Sequence, residues 1–130
     1  MKKGFTLIEL LIVMAIIGLL SSILLPNISG AQNRAKEAAT KAVLYNIQIE
    51  IEGYQLDNNC YPEGSNITLA ELAPLIPLKN SPKNPFTGKD YTAQDKAGQI
   101  TYTYTADPGY YTLTAYKKDG ETVLFLLTNK

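Results

Sequence analysis

The stretch FTLIELLIVMAIIGLLSSILL runs from Phe5 to Leu25 and carries a single charged residue, Glu9. A helix of these 21 residues is about 30 Å long, which matches the hydrocarbon thickness of a bilayer. It is preceded by Met1 to Gly4. We therefore predict a membrane-length helix near the start of the chain. The function of the protein must explain why this apolar helix contains a carboxylate.

Composition narrows the function of the remaining residues. The chain has 130 residues with 12 basic and 12 acidic side chains, so its formal net charge is zero. This balance argues against nucleic-acid binding by bulk electrostatics. Histidine is absent, so Ser-His-Asp and Cys-His catalytic arrangements cannot be built, and the single cysteine, Cys60, cannot form an intrachain disulfide. We expect a protein that is not an enzyme and that binds no nucleic acid.

The residues before the apolar run differ from an ordinary secretory signal. Such a signal places its small-residue cleavage site after the apolar core, whereas Gly4 stands before it here. Lys2 and Lys3 favour a cytoplasmic N-terminus, which puts the rest of the chain across the membrane. A carboxylate inside a span costs about 2.5–3.5 kcal/mol. Glu9 therefore either reaches water from its place one turn into the span or has a cationic partner.

The segment KGFTLIELLIV, from Lys3 to Val13, resembles the class III signal of type IV pilins and type II secretion pseudopilins. The resemblance implies that a prepilin peptidase cleaves the chain between Gly4 and Phe5 and that Phe5 becomes N-methylated. It also implies that Glu9 pairs with the Phe5 amine of a neighbouring subunit in a filament. That amine would supply the cationic partner that the buried carboxylate needs.

On this basis we divide the chain into a leader at residues 1–4, a membrane-spanning or filament-core helix at 5–28, and a globular head at 29–130. Gly18 and Pro26 weaken the helix, because glycine lowers helix propensity and proline removes a backbone hydrogen bond. We predict a kink at these positions. The resemblance adds a role in assembly, since pilin helices loosen between such positions when they pack into a filament.

Helical character continues from Ser29 to about Asp57, where turn-forming residues begin. At 100° per residue, this segment has two apolar stripes on nearly opposite faces. The inner stripe consists of Val43, Leu44, Ile47, Ile51 and Tyr54, and the outer stripe consists of Ala35, Ala38, Ala42, Tyr45, Ile49 and Leu56. An ordinary surface helix shows only one such stripe. We assign the inner stripe to the chain's own sheet and the outer stripe to contacts between subunits.

Three segments near the C-terminus are rich in β-forming residues and are separated by turn residues. They are Gln99–Thr105, Tyr110–Tyr116 and Glu121–Thr128. Their short connections favour an antiparallel meander. The predicted fold class is α+β: a long N-terminal helix, apolar in its first half and amphipathic in its second, packs on a three-stranded antiparallel sheet at residues 99–128.

Residues 58–98 are predicted to form a loop that contains one short helix. Thr68 is its expected N-cap, and Glu71 completes a capping box. The segment Asn84–Tyr91 predicts a turn. Cys60 is expected to be packed or half-exposed, with an intermolecular disulfide as the alternative.

The same loop resembles, more weakly, the major pseudopilin of type II secretion, through Tyr61-Pro62 and the Asn-Pro-Phe…Gly…Tyr pattern at 84–91. That family carries a calcium site in its C-terminal loops. Calcium takes about six to eight oxygen ligands, and Asp107, Asp119 and Glu121 could supply only part of such a shell. We therefore expect no cofactor, with calcium as the open alternative.

Two functions remain. The first is a structural subunit that polymerises through its N-terminal helix into a type IV pilus-like filament, either a type IV pilus or a type II secretion pseudopilus. The alternative is a monomeric membrane-anchored binding protein of the same machinery, which would capture DNA or a surface. That alternative needs a basic or aromatic ligand surface. The lysines of this region are scattered and offset by acidic residues: Lys79, Lys83, Lys89 and Lys96.

The resemblance also implies partners and a location. The partners are copies of the chain itself in a helical filament, the prepilin peptidase, the inner-membrane assembly platform with its ATPase, and minor pilins or pseudopilins. Before assembly the subunit would cross the bacterial cytoplasmic membrane once. After assembly it would lie in a pilus on the cell surface or in a pseudopilus in the periplasm.

Overall fold

The computed structural model describes residues 1, 4–78 and 80–130. The predicted cytoplasmic position of Lys2 and Lys3 therefore lies outside the described residues. The described chain is an α+β protein with two helices and a four-stranded antiparallel sheet, which confirms the predicted fold class.

The chain divides into two compact units, Met1–Arg34 and Ala35–Lys130. Helix α1 spans Leu7–Asn58, so both units contain part of it. In the first unit, the segment Leu7–Leu25 is long and apolar enough to cross a membrane, and its side chains are exposed in the isolated chain. The second unit contains the rest of α1 together with the sheet and the connecting loops.

Asparagines end helix α1. The Asn59 amide still donates a 2.8 Å hydrogen bond to the Gln55 carbonyl, and the Asn58 side-chain amide donates one of 2.9 Å to the Tyr54 carbonyl. Asn59 itself has a φ of 55°, a left-handed conformation that asparagine tolerates better than most residues. The chain therefore turns away from the helix axis directly after Asn58.

The sheet is a meander in which the strands follow chain order. Its strands are β1 at Ile67–Thr68, β2 at Ile100–Thr105, β3 at Tyr110–Tyr116 and β4 at Val123–Thr128. The last three confirm the predicted strands, whereas β1 was not predicted. A two-residue strand has no alternation of apolar and polar residues from which a sequence pattern could identify it.

The core lies between the inner stripe of α1 and the inward face of the sheet. In β3, burial alternates strictly, and Tyr111, Leu113 and Ala115 are fully buried. Leu44 and Ile51 from the helix are equally inaccessible and belong to the same hydrophobic cluster. Burial of each large apolar side chain contributes about 1.5–3 kcal/mol, so this cluster is the main stabilising element of the second unit.

The loop between α1 and β2 is more structured than the predicted loop. Helix α2, Leu69–Leu72, begins at the predicted capping box, where the amide and hydroxyl of Thr68 donate to Glu71 Oε2 at 2.7 and 2.8 Å. The turn that begins at Asn84 is also confirmed, since the Asn84 amide bonds to the Lys89 carbonyl and the Gly88 amide bonds back to the Asn84 carbonyl.

Asn84 is fully buried and holds this loop together, a role that sequence analysis missed. Its side-chain nitrogen donates to the Ala97 carbonyl at 2.8 Å and to Asp95 Oδ2 at 3.2 Å. Its side-chain oxygen accepts from the Phe86 amide at 2.9 Å. A buried amide with its donors and acceptor engaged fixes the path of the chain around it.

Candidate assembly site

Glu9, the charged residue that a bilayer disfavours, takes part in capping the first turn of α1. Glu9 Oε2 accepts hydrogen bonds from the Thr6 amide at 2.8 Å and from the Thr6 hydroxyl at 2.7 Å. In return, the Glu9 amide donates to the Thr6 hydroxyl at 3.3 Å. These three bonds form a capping box, which satisfies donors that a helix N-terminus otherwise leaves unpaired.

The cap that Thr6 provides was not predicted, although its pattern is present in the sequence. Thr6-Leu7-Ile8-Glu9 has the Thr-x-x-Glu spacing of a capping box directly before an apolar run. The partner expected for Glu9 was a cation, because an ionised group in a bilayer usually pairs with the opposite charge. A neutral donor three residues away supplies hydrogen bonds without any second charge.

The structure leaves the predicted processing site accessible. Gly4 is exposed, a Cβ placed on it would meet nothing within 4 Å, and Phe5 is 84 % exposed. A peptidase needs this kind of open backbone to reach the bond between them. The predicted pairing of Glu9 with Phe5 involves a second subunit, so it stays a prediction.

Gly18 and Pro26 lie within the apolar half of α1. The helix runs through both positions, and Gly18 has no neighbour within 4 Å of the place where a Cβ would stand. A helix face without a side chain allows another backbone to approach closely. The kink and the assembly roles of these two residues stay predictions.

The two stripes of α1 in the second unit have opposite environments. On the inner stripe, Leu44 and Ile51 are completely buried, as the sequence pattern predicted. On the outer stripe, Tyr45 is 48 % exposed, Ile49 68 % and Leu56 77 %, and the three alanines are also exposed. The outer stripe therefore lies on the surface of the second unit, on the helix that holds its core.

Glu52 fixes the helix to the sheet beside the outer stripe. Its Oε1 accepts a 2.6 Å hydrogen bond from the Tyr111 hydroxyl, and its Oε2 accepts one of 3.1 Å from the Tyr61 hydroxyl. Two causes raise the pKa of the Tyr111 hydroxyl above its ordinary range: chiefly its burial, and also the hydrogen bond to the Glu52 carboxylate. The proton therefore stays on the tyrosine. The two tyrosine rings also contact each other, with centroids 5.0 Å apart.

The C-terminal turn contains Asp119 and Glu121, two of the oxygen ligands considered for calcium. Asp119 already accepts three hydrogen bonds, from the Glu121 amide, the Thr122 amide and the Thr122 hydroxyl, at 3.0, 2.9 and 2.5 Å. The Thr122 hydroxyl and these amides lower the pKa of Asp119 to about 2. In the chain as described, no group of three or more Asp, Glu, Cys or His side chains could hold a metal ion. The expectation of no cofactor, with calcium as the alternative, stays a prediction.

Cys60 differs from its prediction. It was expected to be packed or half-exposed, but it is exposed at the start of the loop after α1, and its thiol is free. The left-handed turn at Asn59 directs the chain out of the helix, and the next residue lies on the surface. The alternative of an intermolecular disulfide stays open.

These features define a class of protein before any comparison. A membrane-length helix with a capped start continues into a compact unit whose helix keeps a second apolar face exposed. Large exposed apolar surfaces mark sites of association. The class is that of membrane-anchored subunits that associate along an extended N-terminal helix.

Comparison with known proteins identifies the family. Residues 1–25 match the family model described as the prokaryotic N-terminal methylation motif. The chain is 35% identical over 117 residues to the type IV wide pilus major component PilA4 of Thermus thermophilus, covering 84% of this chain and 86% of that protein. The chain belongs to the type IV pilin family.

Type II secretion proteins are also among its relatives. The chain is 29% identical over 133 residues to the type II secretion system core protein G of Escherichia coli, covering 92% of this chain and 84% of that protein. The core protein G of Vibrio cholerae is 29% identical over 120 residues, covering 82% of each chain. No solved structure shows a significant match.

Proposed function

We propose that the protein is the structural subunit of a type IV pilus-like filament and that it polymerises through its N-terminal helix. The observation that carries this proposal is the pair of stripes on α1. The inner stripe packs in the subunit's own core, and the outer stripe is exposed. The first half of the same helix is also apolar and exposed. A polymer of identical subunits would cover both exposed surfaces at once.

The relatives include a pilus major component and type II secretion core proteins. The filament is accordingly either a type IV pilus on the cell surface or a type II secretion pseudopilus in the periplasm. In both cases the subunit would first be held in the cytoplasmic membrane by the apolar segment of α1. The machinery would be a prepilin peptidase, an assembly platform with its ATPase, and minor subunits.

The proposed division of labour follows the chain. Residues 1–4 are a leader that the peptidase removes after Gly4, residues 5–28 anchor the subunit and then form the filament core, and residues 29–130 form the head. The relatives are a pilus major component and secretion core proteins, which supports a structural role. Glu9 aligns neighbouring subunits by pairing with the methylated amine of Phe5.

Substitutions on the outer stripe test the proposal. Ala38→Glu and Ala42→Glu place a carboxylate on the exposed face, where the monomer tolerates it but a packed interface does not. We expect these variants to lose filaments while the head keeps its thermal unfolding midpoint. Gln55→Glu, in the polar gap between the stripes, is the matched control and should assemble. Unfolding of the head by Ala38→Glu or Ala42→Glu would show that the stripe faces inward.

The leader is tested separately. Gly4→Asp places a charged side chain at the proposed cleavage position, and we expect it to leave an uncleaved precursor in the membrane. Mass spectrometry of the N-terminal peptide reports the result directly. Protein of mature length, beginning at Phe5, would contradict the proposed leader.

A further inference from the structure

Strand β4 lies at one edge of the sheet, and that edge is unprotected. The strand, Val123–Thr128, contains five consecutive apolar residues and no charge or proline. Among the described strands it pairs only with β3, so the backbone N–H and C=O groups on its other side are open. Proteins usually protect such an edge with charges, prolines or a covering element. An open edge of this kind is suited to pairing with another strand.

The pairing of β4 with β3 determines which of its side chains lie on each face of the sheet. Phe125 is opposite Ala115, a member of the core, so Phe125 faces the helix. Leu126, the next residue, therefore lies on the other face. Val123 is opposite Tyr116, which follows Ala115 along β3, so Val123 also faces away from the helix. Both outward side chains are half-exposed, and the apolar surface thus continues to the open edge.

The residues that flank β4 carry opposite charges. Glu121 precedes the strand and Lys130 follows it, and both are exposed. The Lys130 ammonium lies 5.1 Å from the centre of the Tyr110 ring. Because Thr128 is opposite Thr112 on β3, this contact shows that Lys130 continues the line of β4 beside β3. The uncharged strand therefore has a carboxylate before its start and an ammonium group after its end.

A second copy of the same strand fits this edge when it runs in the opposite direction. Like charges directly opposite each other destabilise a sheet, but β4 has none, so two copies do not repel each other. With Leu126 opposite the same residue of the other copy, Phe125 lies opposite Leu127, and each pair points to one face, as antiparallel pairing requires. This register also brings Glu121 of each copy near Lys130 of the other. We propose that the open edges of two β4 strands pair in this register and join two subunits through one continuous sheet.

The symmetry of this contact separates it from the contacts within a filament. Pairing of two identical edges is isologous, and its two-fold axis is perpendicular to the sheet. This axis reverses the direction of the helix that packs on each sheet. The subunits of one helical filament all point the same way, so the contact does not join neighbours within it. Resting on the proposed function, the contact instead joins two filaments that lie side by side and run in opposite directions.

A single cysteine at the two-fold axis tests the contact on the full chain in detergent micelles. In a Cys60→Ser background, Leu126→Cys should give disulfide-linked dimers on mild oxidation, since directly opposite residues have Cα atoms about 4.5–5.5 Å apart. Thr114→Cys is the matched control, because Thr114 is opposite Leu126 on β3 and lies on the same face, one strand further from the axis. Two such cysteines would be roughly 14 Å apart and should give no more than about a tenth as much dimer.

Charge exchange gives an independent readout in sheared filaments. Glu121→Lys alone, or Lys130→Glu alone, brings like charges together at both ends of the contact and should lower the fraction of filaments in bundles by at least about twofold in electron micrographs. The double variant restores opposite charges and should form bundles as the parent does. The yield of filaments should be the same in all four proteins.

The outcomes separate the contact from the filament. Equal dimer yields from the two cysteine variants, parent filaments that do not bundle, or a double variant that does not restore bundling would overturn the contact and leave the filament function intact. A parent chain that forms no filaments would instead overturn the proposed function, whatever the cysteine variants show in micelles.

Discussion

Glu9 caps its own helix through Thr6, since its Oε2 accepts both the amide and the hydroxyl of that residue at 2.8 and 2.7 Å. The carboxylate at the start of the apolar segment is therefore hydrogen-bonded within a single subunit. Among the described residues, Oε1 has no partner. One oxygen can hold the helix start while the other remains available to a neighbouring subunit's amine.

The first prediction concerns this cap. Thr6→Ala removes the hydroxyl, so the first turn of α1 should lose about 0.5–2 kcal/mol of local stability. Thr6→Ser keeps the hydroxyl and serves as the control. Hydrogen exchange at the amides of residues 7–9, measured on the full chain in detergent micelles, should be faster in Thr6→Ala alone. Equal exchange rates in all three proteins would show that the cap contributes nothing.

The second prediction concerns the bond between helix and sheet. Glu52→Ala removes the acceptor of both the Tyr111 and the Tyr61 hydroxyl, and hydrogen bonds to a charged group contribute about 1.5–3 kcal/mol. We expect a loss of about 2 kcal/mol in the free energy of unfolding of the head. Glu50→Ala, on the same helix, should change it by less than about 0.5 kcal/mol.

A double-mutant cycle makes the assignment specific. Combining Glu52→Ala with Tyr111→Phe should cost less than the sum of the two single changes, because both remove the same bond. Thermal unfolding followed by the near-ultraviolet signal of the tyrosines measures the four proteins. Strict additivity would mean that the carboxylate and the hydroxyl do not interact.

Periodicity in the sequence predicted the parts of the fold that repeat. The inner stripe of α1 could be identified because Leu44, Ile47 and Ile51 recur at helical spacing, and all three are buried. The last three strands could be identified because β-forming residues are concentrated in them between turn residues, and in Ile100 to Thr105 apolar and polar residues also alternate. Each pattern averages over many residues, so no single contact needs to be known.

Features that depend on one residue could not be predicted in this way. Asn84 is fully buried, and five residues form hydrogen bonds with its side chain or its backbone: Phe86, Gly88, Lys89, Asp95 and Ala97. No repeating pattern in the sequence indicates these bonds. Cys60 is exposed because the chain makes a left-handed turn at Asn59. The residue types at a helix end predict that the helix stops, but they do not specify this backbone conformation. The Thr-x-x-Glu spacing is enough to predict that Thr6 caps the helix. Because Glu9 is charged, its partner was instead expected to be a cation.

The third prediction concerns the turn between β3 and β4 and its dependence on pH. The folded pKa of Asp119 is about 2, below its ordinary value of 3.8. The folded turn therefore binds protons less readily than the unfolded chain, and its stabilisation is complete above about pH 4 and is lost as the pH falls toward 2. The amide chemical shift of Thr122 should titrate with a midpoint near pH 2.

Variants at Thr122 test the cause of this shift. Thr122→Val removes the hydroxyl donor, so the titration midpoint should move up toward the ordinary value of an aspartate. Thr122→Ser keeps the donor and should titrate as the parent does. A midpoint near 3.8 in the parent protein would contradict the hydrogen-bonded turn.

The fourth prediction concerns calcium. Because Asp119 is engaged by three donors within its own turn, we expect the head to fold without the ion. The thermal unfolding midpoint of the full chain in detergent should be the same in excess chelator and in about 1 mM calcium. A ligand that binds the folded state raises this midpoint. A calcium-dependent rise would therefore contradict the prediction and show that the head binds the ion.

The central claim is that the N-terminal helix, with Glu9 in its first turns, joins subunits into a filament. Its most direct test is electron microscopy of filaments sheared from cells that express either the parent chain or Glu9→Val, with immunoblots of the membrane fraction. We predict that Glu9→Val reaches the membrane in the same amount as the parent but yields no ordered filaments. Normal filaments from Glu9→Val would contradict the claim.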